Sequence, residues 1–214
     1  VMIEDADGCT FEDEIFISEP AELTLGIEEE VSISLGTTID LDPQYANLGA
    51  IDTVLWTPLE YLVFDTTDLD RLYPETSPIM YYTTNFEVTV VDTFGCIVRE
   101  EIQVLVDKDR PIYIPNAFSP NDTPPNDEFI ILSAIDDPSI AQVNFFRIFN
   151  RWGELVFESE GLEGEGFQPN DPEHGWDGTF KGKDVNPGVY IYVAEVEFID
   201  GFKILYKGDV TLFR

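Results

Sequence analysis

Gly188-Val189-Tyr190-Ile191-Tyr192-Val193-Ala194-Glu195-Val196-Glu197-Phe198-Ile199 runs into Asp200-Gly201 and returns through Phe202-Lys203-Ile204-Leu205-Tyr206-Lys207-Gly208-Asp209-Val210-Thr211-Leu212-Phe213. β-Branched and aromatic residues dominate both arms, and such side chains fit a pleated, half-buried surface. Asp-Gly between two alternating runs is a strong hairpin signal. Along residues 190–197 one face turns acidic while the other stays apolar, the pattern of an antiparallel strand with one face buried. Working backwards, residues 112–114, 128–133, 143–150, 154–158 and 176–181 read as further strands separated by Gly, Pro, Asn and Asp. That density of short strands predicts a β-sandwich.

A repeat extends this reading towards the N-terminus. Asp5-Ala6-Asp7-Gly8-Cys9 recurs as Asp92-Thr93-Phe94-Gly95-Cys96, and Glu14-Ile15-Phe16-Ile17 as Glu101-Ile102-Gln103-Val104. A constant offset of this length indicates tandem modules. In each copy an Asp-x-x-Gly turn feeds a final alternating strand. Residues 1–18 therefore read as the last hairpin of a truncated upstream repeat, residues 19–107 as one complete module, and residues 108–214 as a second. Strands are expected over residues 21–25, 31–35, 38–41, 52–57, 77–82, 86–92 and 97–106, with Trp56 a core residue on a middle strand. The predicted fold is all-β: two tandem immunoglobulin-like β-sandwich domains, preceded by the last hairpin of a third. Cys9 and Cys96 hold equivalent places in different modules, so they are expected as separate, partly buried thiols, or with Cys9 paired upstream.

Charge narrows the partners. The formal net charge is −32, which repels nucleic acid and anionic membranes. Residues 1–107 hold 24 acids and only Arg71 and Arg99 as bases, whereas residues 108–214 hold 19 acids and nine bases. That step supports a boundary near Asp107. No apolar run approaches the ~18 residues of a membrane span, and Val1-Met2-Ile3-Glu4-Asp5 lacks the basic start and apolar run of a signal peptide. His174 is the single histidine, and no nucleophile elbow, phosphate loop or Cys/His metal spacing occurs. The expectation is a protein that is not an enzyme. Exposed tyrosines such as Tyr61, Tyr81 and Tyr82 keep a carbohydrate-binding module as the rival reading.

Three motifs stand out in the second module: Ile114-Pro115-Asn116-Ala117-Phe118-Ser119-Pro120-Asn121, Phe149-Asn150-Arg151-Trp152-Gly153, and Trp176-Asp177-Gly178 followed by Pro187-Gly188-Val189-Tyr190. Each has a physical role independent of any family. Pro115 and Pro120 end ladders because proline has no N–H. Asn116 and Asn121 set turns by bonding nearby backbone. Trp152-Gly153 reads as a tight corner with an aromatic plug, Asp177-Gly178 as a turn after Trp176, and Pro187-Gly188 as the turn launching the next strand.

In order and spacing these motifs resemble the gliding-motility-associated C-terminal domain of Bacteroidetes, the type B sorting domain of type IX secretion. The Asp-x-x-Gly-Cys turn and the following Ser18-Glu19-Pro20 resemble PKD-like and SprB-type repeats of large adhesins. The resemblance implies an export signal carried on a stalk: the C-terminal region of a large secreted protein, taken from the periplasm to the cell surface by the type IX translocon and a cognate outer-membrane β-barrel partner, and attached at the outer membrane. The sorting residues it points to are Pro115, Asn116, Phe118, Pro120, Asn121, Asn150, Arg151, Trp152, Gly153, Trp176, Asp177, Gly178, Pro187, Gly188 and Tyr190. Docking is expected where residues 205–213 offer a sheet edge. The family's Ca2+-like loop is altered here, with Pro124 and Pro125 present and both family glycines gone; Asn121, Asp122, Asn126 and Asp127 are the Ca2+ candidates. Asp-Thr pairs mark Thr53 and Thr66 as O-glycosylation candidates. The alternative is a carbohydrate-binding module, with surface glycans as partners, or the tail of a secreted hydrolase.

Overall fold

A computed structural model describes residues 2–16, 21–46, 48–64, 73–77, 79–121, 126–161 and 165–214. Its strands are β1 (Met2–Glu4), β2 (Thr10–Glu12), β3 (Leu25–Gly26), β4 (Glu30–Ser34), β5 (Gln44–Tyr45), β6 (Ile51–Thr57), β7 (Leu62–Val63), β8 (Glu75–Thr76), β9 (Thr84–Asp92) and β10 (Ile97–Asp107). They continue as β11 (Ala117–Phe118), β12 (Ile140–Phe149), β13 (Leu155–Ser159), β14 (Thr179–Phe180), β15 (Lys183–Asp184), β16 (Gly188–Phe198) and β17 (Lys203–Leu212). The chain is an all-β tandem of immunoglobulin-like sandwiches behind the short β1–β2 hairpin.

The first sandwich is built on a four-stranded sheet in the order β4-β10-β9-β6, with β4 parallel to β10. Alternate residues of these strands face inward: Val54 and Trp56, Phe86, Val88 and Val90, Ile102 and Val104 are all buried, as the period of two requires. Leu25, Leu41, Leu62 and Met80 complete that core. Trp56 is core as expected, but β6 lies at the sheet edge rather than in the middle. Two expected strands are not strands. Residues 38–41 make a single bridge, Asp40 to Glu75, and Met80 closes a turn onto the Ser77 carbonyl.

The second sandwich centres on a five-stranded sheet in the order β11-β17-β16-β12-β13. The β16–β17 hairpin pairs in unbroken register from Gly188↔Leu212 to Glu197↔Lys203. Phe146, Ile148, Ala194, Val196, Phe198, Val210 and Leu212 line its buried face. The expected strands at residues 112–114, 128–133 and 176–181 form the covering layer mostly through single bridges, Tyr113↔Leu132 and Phe129↔Trp176. In the second of these, each residue's N–H donates to the other's carbonyl at 2.9 and 3.0 Å. Short paired segments suffice there because Phe129 and Trp176 are fully buried and anchor the layer by packing.

The repeat noted in the sequence is one turn built twice. Asp5 Oδ1 accepts the N–H groups of Asp7 and Cys9, both at 2.9 Å. Asp92 Oδ1 accepts those of Phe94 and Cys96 at 2.9 and 2.8 Å. Gly8 and Gly95 take φ of 84° and 86°, the left-handed conformation glycine adopts without steric cost. Burial raises the Asp92 carboxyl, but the N–H groups of Cys96 and Phe94 outweigh it and hold the group below the usual carboxylate range. Both cysteines are exposed free thiols, which corrects the expectation of partial burial.

The sandwiches share packing at their junction. Leu35, buried, belongs to the core of the second, and Tyr81 and Val106 pack against it. Arg110 Nη2 and Lys108 Nζ reach Asp200 Oδ2 at 2.7 and 3.3 Å. The Arg110 guanidinium lies over the rings of Phe198 and Phe202, and Lys108 over Tyr82. Gly36 has φ of 83°, and a Cβ there would fall 2.6 Å from the Pro138 carbonyl oxygen. Gly36→Ala is therefore expected to cost about 1–2 kcal/mol from backbone strain alone, with the clash added. A fall in the thermal unfolding midpoint of the whole chain checks it.

The open edge of the second sheet differs from the expected one. The stretch 205–213 is not free throughout, because the N–H groups of Thr211 and Phe213 donate to the carbonyls of Asn116 and Phe118 at 2.9 and 3.0 Å. β11 thus covers the end of β17. Upstream of Thr211, no described residue pairs with that side of β17.

Candidate functional site: the motif-bearing end of the second sandwich

Strand direction brings the three motifs together. β12 ends where β13, after its turn, and β16 begin, and there β17 also ends; Phe149 pairs with Leu155 and Ile191, and Gly188 with Leu212. The 150–153 turn, the 186–188 segment and residues 212–214 therefore lie at one end of the sheet. The Asp200 turn and the junction lie at the other.

Motif one supplies Phe118 to the core, stacked on Phe129 with ring centroids 5.7 Å apart. The Asn116 carbonyl holds Thr211, while Pro120 lies against Gly178. Motif three supplies Trp176, whose indole N–H donates to the Thr179 carbonyl at 2.8 Å. Its ring meets Phe118 at 5.3 Å and Tyr190 at 4.9 Å. Asp177 Oδ1 accepts the Thr179 N–H at 2.9 Å. The Tyr190 hydroxyl donates to the Asn186 carbonyl at 2.8 Å, spanning the Pro187-Gly188 turn. Burial pushes the Tyr190 phenol up, against the pull of Arg214 and Arg151.

Motif two repeats the Asp-x-x-Gly device with an asparagine. Asn150 Oδ1 accepts the N–H groups of Trp152 and Glu154, both at 3.0 Å, and Gly153 takes φ of 79°. The Asn150 side chain, not the tryptophan, closes this corner. Trp152 is 76% exposed, which overturns the expected aromatic plug. The Arg151 guanidinium lies 4.3 Å from its ring centroid. A groove of about 110 Å³ runs between this turn and residues 186–190.

Arg214 is a contributor that motif reading missed. It donates to the Gly178 carbonyl at 2.8 Å and pairs with Asp184 at 2.5 Å. A second missed contact is Ser159 Oγ to His174 Nδ1 at 2.7 Å, with the imidazole stacked on Phe167 at 4.2 Å. Asp171 lies 3.8 Å from His174 Nε2, but its other oxygen caps the 3-10 turn Pro172–His174. The His174 ring is occupied on one face and one nitrogen, so the contact fastens the 165–175 segment to β13.

Of the Ca2+ candidates, Asp122 lies outside the described residues. Asp127 Oδ1 accepts the Asn121 N–H at 2.9 Å and the Asn126 carbonyl accepts the Ser119 N–H at 2.9 Å, so these groups brace the loop. Ca2+ takes about six to eight oxygens, and no group of three His, Cys, Asp or Glu side chains suited to a metal occurs among the described residues. Thr53 sits half-buried on β6 with its hydroxyl on Asp52 at 3.0 Å; Thr66 lies outside the described residues. Tyr81 packs into the junction.

A buried aromatic cluster framed by turns thus carries an exposed Arg-Trp tip. Residues 112–212 match the family described as the CHU_C Type IX secretion signal domain, and a secretion signal of that kind implies export to the cell surface or beyond. No curated protein matches the chain. Among solved structures, it is similar to the D00-D0 domain of intimin, with 11% identity and a TM-score of 0.36, covering 90% of this chain and 100% of that one. It is also similar to the fibronectin(III)-like modules of Clostridium thermocellum CbhA, with 13% identity and a TM-score of 0.33, covering 89% and 93%. For dimeric latent PorU from Porphyromonas gingivalis the values are 15% and 0.30, covering 89% of this chain and 20% of that one. Among the described residues no helix is long and apolar enough to cross a membrane.

Proposed function

We propose that this chain is the C-terminal region of a large secreted surface protein of the adhesin kind, in which the first sandwich is a stalk module and the second docks to the type IX machinery and an outer-membrane barrel partner. Its work is recognition, without catalysis. The match over residues 112–212 carries this reading. Its test fuses residues 1–214 behind a periplasm-targeted reporter in a host with a type IX translocon and in an isogenic strain lacking it. The whole stretch is used because Leu35 completes the second core. Reporter at the surface or in the medium of the first strain only is the expected result. Reporter retained in the periplasm of both, with the cognate barrel partner present, would refute the export role.

The open edge of β17 supports docking by strand addition. Because Thr211 and Phe213 direct their N–H groups to the β11 side, the unbroken register gives Asp209, Lys207 and Leu205 the same direction. Those donors face outward with no described partner strand. Lys207→Pro removes one without breaking a β16 bond, a placement edge strands tolerate. Export is expected to fall by about tenfold, the effect of losing ~1.4 kcal/mol of docking energy, with little change in melting temperature. Unchanged export would count against the edge.

A further inference from the structure

The 150–154 turn carries more chemistry than its geometry needs. Three turns of this chain share one construction: an Asp or Asn accepting two backbone N–H groups, and a glycine at φ near 80° three positions on. Their backbone pairings also agree. Asp5, Asp92 and Asn150 each donate N–H to the carbonyl four residues later, at 3.0, 3.1 and 3.0 Å. The two middle positions are Ala6-Asp7, Thr93-Phe94 and Arg151-Trp152. Such different pairs on one backbone leave those positions free of the fold, so the Arg-Trp pair has no structural duty.

Its surroundings indicate what it meets. Arg110, Arg147 and Arg214 of the same sandwich each hold a carboxylate. Arg151 holds none among the described residues, in a chain with 43 acids to 11 bases. It lies instead against the exposed Trp152, a flat apolar surface with one indole donor. Tryptophan, tyrosine and arginine are the residues enriched at binding hot spots. The adjoining groove of about 110 Å³ holds roughly four waters' volume, room for one short side chain. Tyr190 forms one of its walls with the hydroxyl proton committed to the Asn186 carbonyl, so the side-chain donors left to a ligand are Arg151, the Trp152 indole and the Asn186 amide.

We propose that the Arg151–Trp152 turn and the groove beside it receive a carboxylate side chain, Asp or Glu, presented by a protein partner of the export step. The cation supplies charge complementarity where the rest of this chain would repel an acidic surface. This inference rests on the export reading and adds the contact that carries it.

The test uses the same reporter fusion with three variants. R151A/W152D places the Ala6-Asp7 pair on the same turn, so the fold is retained by precedent within the chain. R151K keeps the charge without the planar fork. K183E reverses an exposed cation on β15 outside the groove. With unchanged melting temperatures, R151A/W152D is expected to lower export by about tenfold or more, the scale of a lost hot-spot contact. R151K should retain an intermediate level, and K183E should match the parent. Export of R151A/W152D at the parental level overturns the proposal. Equal loss in K183E also overturns it, since net charge rather than the turn would then be responsible. If the parent itself is not exported, the export reading falls, and this inference falls with it.

Discussion

Asp200→Asn is expected to destabilise the chain by about 3 kcal/mol. The Asp200 side chain is 6% exposed and is approached by Arg110 at 2.7 Å and Lys108 at 3.3 Å. Removing one member of a buried ion pair costs roughly 3–5 kcal/mol, mostly because the remaining charge is left without compensation. Arg110 is poorly placed to recover: Phe198 and Phe202 hold its guanidinium, and its Nε is already buried with no hydrogen-bond partner. Lys108, about a third exposed, can turn to water, which puts the loss at the lower end of the range. Asparagine still accepts the Phe202 N–H, so the hairpin turn survives and the effect isolates the charge. Denaturant unfolding at neutral pH measures it. Adding Arg110→Met should restore part of the loss, since an apolar replacement of a buried pair is often neutral.

The same carboxylate sets an acid limit. Burial alone would raise the Asp200 pKa, but Arg110, the Phe202 N–H and Lys108 outweigh it and hold the group below its ordinary value. A carboxylate depressed in the folded state contributes stability that is complete above its unfolded pKa, about 3.9. That contribution drains away as pH falls through the folded value. The parent should therefore lose more stability than Asp200→Asn between neutral pH and pH ~3.

Local sequence made the hairpins legible and left the junction hidden. The β16–β17 and β9–β10 hairpins were readable because alternation and an Asp-Gly or Asp-x-x-Gly turn act within a few residues. The covering layers were harder. Residues 112–114 and 128–133 alternate like strands, yet their pairing is reduced to bridges, because buried aromatic rings do the anchoring that a ladder does elsewhere. Arg110 and Asp200 meet across 90 positions of sequence, and no local pattern announces such a pair. At the motif-bearing end, residue types were legible but orientation was not. Trp152 has the composition of a core anchor, and only the finding that Asn150 closes the turn reveals that its ring is turned outward.

Trp176→Ala is expected to remove the recognised shape itself. Trp176 has no exposed surface and joins Phe118 of the first motif to Tyr190 of the third. Truncating a buried tryptophan costs about 3–5 kcal/mol, and here it also leaves the Thr179 carbonyl without its indole donor. A domain of this size has roughly 5–15 kcal/mol in hand. A loss near 4 kcal/mol would lower its melting temperature by roughly 15–30 °C. Thermal unfolding followed by tryptophan fluorescence and circular dichroism should show that fall, and export of the reporter should fall with it. Set beside R151A/W152D, the comparison separates two causes of failed export. Losing Trp176 is expected to lower export because the folded end of the sandwich is weakened. Exchanging Arg151 and Trp152 is expected to lower it by about tenfold or more while the melting temperature holds, because the fold persists and the contact it displays has been taken away.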